Sequence, residues 1–360
     1  MANSVEIPQD IIDNVIAAVG NYKPSLNQCA LVSSSFLLPS RKQLFHSISF
    51  GHDDEASQRL HQVLVQNPVI RSFVRRINVY HRWVWRSKPI PDQSLLAILQ
   101  LPFCYLEEFL FSYCGQDVNW SGFSGELKDA LSTLIHSPTL KILNLENVDN
   151  APITLFLGIV HLTKLVLSSV SFNYSDGEQP SPLTPKGVAT TASHTEIDRC
   201  VLSFSDPTHD CPTKAISLPF MSHPRVLEIY INSFSATMSD FPILSFLMRS
   251  LCASLTSPAT LEHLKLNIIF KGNKNFFSLD SFYQDLRDDD IWSHLDSIVT
   301  HPTGSRLQRV DIDITYSFRD EDNGTEFDNG ELLEAVLDRL PLLRDKGILF
   351  VEANETWYAY

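Results

Sequence analysis

One spacing recurs between residues 74 and 312: an apolar residue, any two residues, an apolar residue, any one residue, and a third apolar residue. It stands at Val74-x-x-Ile77-x-Val79, Leu106-x-x-Phe109-x-Phe111, Leu140-x-x-Leu143-x-Leu145 and Leu162-x-x-Leu165-x-Leu167. Later copies are Val226-x-x-Ile229-x-Ile231, Leu261-x-x-Leu264-x-Leu266 and Leu307-x-x-Val310-x-Ile312, with a weaker one at Ile197-x-x-Cys200-x-Leu202. The last two apolar positions alternate as on a short strand and point into a core, while the first leads the chain in from the preceding turn. Segments with helical apolar spacing lie between copies: Ser94 to Leu101, Gly125 to His136, Phe241 to Leu255 and Glu331 to Leu340. Strands alternating with helices predict an α/β chain whose strands run parallel in a continuous sheet.

This spacing is the strand signature of leucine-rich repeats. Successive copies start 32, 34, 22, 35, 29, 35 and 46 residues apart. Regular arrays of this type repeat every 20–29 or so residues. The expectation is therefore an irregular leucine-rich repeat solenoid over residues 51–360. Residues 175–196, rich in Ser, Thr and Pro, form an expected mobile loop inserted into it.

The first fifty residues carry a different pattern. Pro8 suits a first helical turn, and Ile11, Ile12, Val15, Ile16 and Val19 form one wide apolar face that ends at Gly20-Asn21. Ser25 is a candidate cap for a second helix carrying Leu26, Cys29, Val32 and Phe36. Leu37-Leu38-Pro39-Ser40 is expected to break that helix. A third segment, Arg41 to Ile48, presents Leu44, Phe45 and Ile48. Three short helices bury little area, so such a module needs a partner or the rest of the chain.

The run Ile7-Pro-Gln-Asp-Ile-Ile, then Ser25-Leu26…Cys29-Ala-Leu-Val-Ser33…Phe36, then Arg41…Leu44-Phe45…Ile48, resembles the F-box in the form common in large families of mushroom-type fungi. The resemblance covers residues 5–50. Ile7 replaces the usual leucine, Phe36 stands where tryptophan is typical, and Ser34 where a basic residue is common. The resemblance implies docking to a Skp-type adaptor and, through it, to a cullin-RING ubiquitin ligase. By motif position the docking residues are Ile7, Pro8, Ile11, Val15, Leu26, Cys29, Val32 and Phe36, some of which must instead hold the helices together. Degenerate leucine-rich repeats commonly follow such a module in these families.

Composition narrows the function. The net charge of -14 is uneven. Residues 1–100 hold 10 Lys+Arg against 7 Asp+Glu, a net +3, whereas residues 281–360 hold 7 against 18, a net -11. Nucleic-acid binding in general is disfavoured, because phosphates demand a positive surface. No GxSxG, GxGxxG, Walker loop or HExxH is present. His209-Asp210-Cys211 points apart on an extended chain. Asp311 and Asp313 read as solvated carboxylates, and the acidic turn at 320–330 fits calcium spacing poorly. The chain is accordingly expected not to be an enzyme and to hold no cofactor or metal. Six scattered cysteines without a CxxC pair, and no apolar leader, fit a reduced cytoplasmic or nuclear compartment. No stretch is apolar enough to span a membrane.

One surface stretch stands out. In residues 71–88, Arg75, Arg76, Arg82 and Arg86 interleave with Tyr80, Trp83 and Trp85. Arginine and aromatic residues are favoured at interface hot spots, and these four arginines are candidate contacts for an acidic or phosphorylated target. The reading that results is a substrate-recognition adaptor of a Skp-cullin-F-box type ligase. Its alternative is a leucine-rich repeat interaction scaffold without ligase association.

Overall fold

The structure, a computed structural model, describes residues 7–51, 54–82, 93–114, 118–156, 159, 161–173, 198–205, 224–233, 261–272, 291–297, 306–319 and 329–358. It is an α/β chain with two compact units, Met1–Val148 and Asp149–Tyr360. The helical module expected over 5–50 lies inside the first. The expected loop at 175–196, the helical segment at 241–255, the triplet 209–211 and most of the acidic turn lie outside the described residues.

The first unit opens with α1 (Gln9–Val19), α2 (Lys23–Val32) and α3 (Ser34–Leu44). Pro8 precedes α1 with extended backbone, and Gly20, at φ 62°, closes it in a conformation that glycine adopts without penalty. Ile12, Ile16 and Leu26 are fully buried, with Val19, Cys29, Phe36 and Leu44 packed around them.

Three sequence expectations change here. Ser25 lies within the first turn of α2, whose cap position is Tyr22, because Pro24 already fixes the start of the helix. The break falls at Ser33, so Phe36 belongs to α3, and Pro39 sits inside α3 rather than ending α2. Proline removes the N–H that would bond the carbonyl four residues back. That carbonyl, Ser35 O, instead accepts from Gln9 Nε2 at 3.5 Å. Finally, Ile48 is not helical. It is buried on a strand, β1 (Ser47–Phe50).

β1 is followed by α4 (Asp54–Gln66), α5 (Pro68–Arg71), β2 (Arg76–Arg82), α6 (Gln93–Leu99), β3 (Glu108–Cys114), β4 (Val118–Asn119), α7 (Gly125–Ile135) and β5 (Ile142–Pro152). β1, β2, β3 and β5 pair in that order, all parallel, while β4 pairs with β5. Register aligns the motif: Ile48, Ile77, Phe109 and Leu143 form one row, and Phe50, Val79, Phe111 and Leu145 the next. All eight are buried. The leading positions Val74, Leu106 and Leu140 are buried too. α7 shows why the intervening segments are helical. Ser124 Oγ accepts from Leu127 N at 3.2 Å, capping a helix that buries Leu127, Ala130, Leu131, Leu134 and Ile135.

The second unit carries β6 (Lys164–Asn173), β7 (Arg199–Ser205), β8 (Val226–Ser233), β9 (His263–Gly272), β10 (Arg309–Arg319) and β11 (Leu349–Tyr358), again parallel and in sequence order. Helices α8 (Ile291–Ser297), α9 (Asn329–Arg339) and α10 (Pro341–Asp345) belong to the same unit. The inward rows are Leu165, Cys200, Leu227, Leu264, Val310, Leu349 and Leu167, Leu202, Ile229, Leu266, Ile312, Val351. The copy assigned from Val226 is therefore offset by two: Leu227 and Ile229 hold the core positions, and buried Pro224 leads the chain in. The buried Asp296 carboxylate of α8 accepts from the Leu342 and Leu343 N–H groups at 3.1 and 2.9 Å, satisfying the open amides at the start of α10.

The second residue of the motif has a structural task of its own. Its carbonyl receives two N–H groups from the next copy: Glu107 and Glu108 donate to Arg75 O, Lys141 and Ile142 to Glu107 O, and Glu262 and His263 to Arg225 O. Backbone groups at the sheet's entry edge are thereby paired before each strand begins.

Candidate functional site

The proposed docking residues divide by burial. Leu26, Cys29 and Phe36 face inward with the module's core, and so are structural. Ile7, Pro8, Ile11, Val15 and Val32 are exposed, with Val32 at 68%. Ile11 and Val15, four apart, share one strip of α1, about 100° round the helix from buried Ile12 and Ile16. Leu31, 86% exposed, and Tyr22 join the exposed apolar set, and neither is among the docking residues named from motif position. Seven apolar residues of this module, Ile7, Ile11, Val15, Tyr22, Leu31, Val32 and Leu38, are thus exposed.

The arginines proposed to bind a target are differently placed. Arg75 Nη1 donates to Ser72 O at 2.9 Å, its guanidinium stacks on Tyr105 at 4.6 Å, and it pairs with Glu107 at 3.9 Å. Arg76 pairs with Glu108 at 2.6 Å, through both Nε and Nη2. Both cations are thus already committed within the unit. Arg82 ends β2, with its side chain outside the described set, and Arg86 lies outside the described residues altogether.

These pairs belong to a pattern visible only once the copies are aligned. The second motif position alternates in charge: Arg75, Glu107, Lys141 in the first unit and Asp198, Arg225, Glu262 in the second. Neighbours pair at 3.9 and 3.2 Å in the first, and at 3.4 and 2.8 Å in the second. The Arg225 guanidinium holds the Glu262 carboxyl below its ordinary range, outweighing a small opposing effect of burial.

The face of β7–β10 opposite the core bears a second polar set. Glu228, nearly buried, receives Arg199 at 2.7 Å and accepts from Tyr230 Oη at 3.3 Å. Burial, and then the Glu228 charge, push the Tyr230 phenol up, while the hydrogen bond to Glu228 raises Arg199 despite some desolvation. Asp311, expected to be solvated, lies 2.8 Å from Arg309 and 2.6 Å from His263 Nε2, with its side chain only 17% exposed. Asp313 accepts from Asn354 Nδ2 at 3.3 Å and Thr315 Oγ1 at 3.5 Å. On the core side, burial raises the Cys200 thiol to about 12, which leaves it protonated and inert. Among the described residues no three His, Cys, Asp or Glu side chains converge as metal ligands, and no helix is long and apolar enough to cross a membrane.

No family model matches the chain, and no curated protein does. The reading of function therefore stands on geometry and on the resemblance carried by residues 5–50.

Proposed function

We propose that the chain is a substrate-recognition adaptor of a Skp-cullin-F-box type ubiquitin ligase. In this reading its N-terminal helices dock a Skp-type adaptor, and an irregular leucine-rich repeat solenoid presents a surface to a target protein. The observation that carries it is the separation of two apolar sets on α1–α3. Ile12, Ile16 and Leu26 hold the module together, while Ile7, Ile11, Val15, Leu31 and Val32 stay in solvent. A helical surface with apolar anchors fits a groove on a partner. Parallel strands in sequence order, with motif positions in register, support the repeat reading of the rest. Ubiquitin transfer belongs to other subunits of such a ligase, so this chain supplies neither nucleophile nor cofactor.

The test is capture of a purified Skp-type adaptor by the full chain. Ile11→Asp with Val32→Asp places charges at two exposed apolar positions and leaves the core intact. Desolvating unpaired charge in an interface costs several kcal/mol, roughly 3–5, so capture should be lost while the circular dichroism spectrum is unchanged. If the folded double variant captures adaptor as well as the parent, the docking face is wrong. If the parent captures none, the scaffold without ligase association takes its place.

A further inference from the structure

The outer edge of β11 is an open end of the sheet. β11 pairs with β10 in unbroken register over its ten residues, and among the described residues no strand pairs on its other side. Val310 N donates to Ile348 O at 2.8 Å. In a parallel ladder the bonding direction alternates by residue, so Phe350, Glu352 and Asn354 turn their backbone groups to β10. Leu349, Val351 and Ala353 turn theirs to the free edge. Edge strands are ordinarily guarded by shortness, bulges, proline or charge, and β11 has only the last, at Glu352 and Glu355. The inward rows end in the open as well. Leu264, Val310, Leu266 and Ile312 are at most 1% exposed, whereas Leu349, Val351 and Ala353 are half-buried, and Phe350 on the outward side is 49% exposed.

We infer that β11 receives an extended segment of a partner protein as an added strand, with apolar residues on its inward side and lysine or arginine on its outward side. In this mode backbone bonds to the edge give affinity, and alternate side chains give specificity. Apolar inward residues continue the two core rows past Leu349 and Val351. Charge selects the outward ones. Glu352 lies beside Asp313 in register, and neither carboxylate pairs with a cation among the described residues. Arg309 on β10 is taken by Asp311 and the Phe350 ring, Lys265 stands two strands away, and Lys346 is on the turn before β11. A cation on the added strand opposite Glu352 meets that unmatched charge. The same glutamates oppose a second copy of this chain, because β11 carries no lysine or arginine to answer them. The inference gives the proposed target recognition a site and a chemistry, and to that extent rests on that reading.

The experiment uses the full chain and fluorescein-labelled peptides, read by fluorescence anisotropy. In one peptide four lysines alternate with four valines. The others alternate glutamate with valine, or hold the same lysines and valines in two blocks. The alternating Lys/Val peptide is expected to bind about tenfold more tightly than either, because it alone presents both faces in strand register. N-methylation separates strand addition from charge attraction. In an added strand one set of alternate amides faces β11 and the other faces away. Methylating all the lysines or all the valines should therefore give one peptide that loses about tenfold in affinity and one that keeps it, with no change to the protein. Glu352→Lys should weaken the Lys/Val peptide and strengthen the Glu/Val peptide, a gain that misfolding cannot produce. Glu55→Gln, on α4, should change neither. Equal binding of alternating and block peptides, the same response to both methylated peptides, or an unchanged preference in Glu352→Lys overturns the inference. A dimer of the chain in sedimentation that Val351→Pro disperses gives the edge to a second copy and overturns it too, since proline there removes an edge N–H and no bond to β10. Skp-type adaptor capture is read on the same samples. Peptide binding without adaptor capture leaves this inference standing and defeats the docking proposal; the reverse defeats this inference alone.

Discussion

Gly51, the residue after β1, shows how tightly the strands meet at their ends. Its φ is 114°, a conformation L side chains rarely adopt, and a Cβ built there would lie 2.5 Å from the carbonyl oxygen of Tyr80 on β2. Gly51→Ala should therefore destabilise the first unit by about 2–3 kcal/mol, the sum of backbone strain and forced displacement. Chemical denaturation would measure it, and a loss below half a kcal/mol, at the level of a neutral surface change, would show that the strand end relaxes freely. The same scale shows how Arg75 and Arg76 are placed: each pairs with a glutamate of the next strand's approach. Those glutamates lie 32 residues along the chain, so the pairing is invisible in the basic stretch itself.

At the scale of elements, the strands were legible and their neighbours less so. The inward residues of β2, β3, β5, β6, β9 and β10 are those that the apolar spacing picked out. The spacing at Val226 sets β8 two residues out of register, because a slip of two keeps every side chain on its own face and periodicity alone cannot detect it. β1 was missed although Phe45-x-x-Ile48-x-Phe50 carries the motif, since a helical pattern claimed the same residues first. β11 was missed because Lys346 stands where the leading apolar residue belongs. Within α1–α3 the apolar positions were legible, but their division into core and surface was not. That division depends on how three helices cross, and Pro39, read as a breaker, lies inside one of them. The core rows make a prediction of their own. Leu143→Ala and Leu264→Ala, both at fully buried positions, should each cost roughly 2–5 kcal/mol in denaturant unfolding. Values under 1 kcal/mol at both would remove these rows from the core.

For the whole molecule, charge acts in two opposed ways. The net charge of -14 favours expansion by self-repulsion, while the ion pairs along the motif's second position oppose it. Those pairs are solvent-exposed, and each is worth only about 0.2–1 kcal/mol. Screening should therefore relieve more repulsion than it removes attraction. Raising sodium chloride from about 0.02 to 0.3 M, which shortens the screening length from roughly 20 to 5–6 Å, is expected to raise the melting temperature. A fall would assign the ladder a larger share of stability than its exposure allows. The strand order has one more consequence. Each strand of the second unit pairs with the next in the chain, so its alignment is set by that neighbour and not by the length of chain between them. Doubling such a connection costs only about 0.6 kcal/mol. Copies 35 and 46 residues apart are then thermodynamically almost equivalent, and the connections are free to lengthen, shrink and drift in sequence. A lineage built on this plan can try new surfaces one insertion at a time without relearning how to fold.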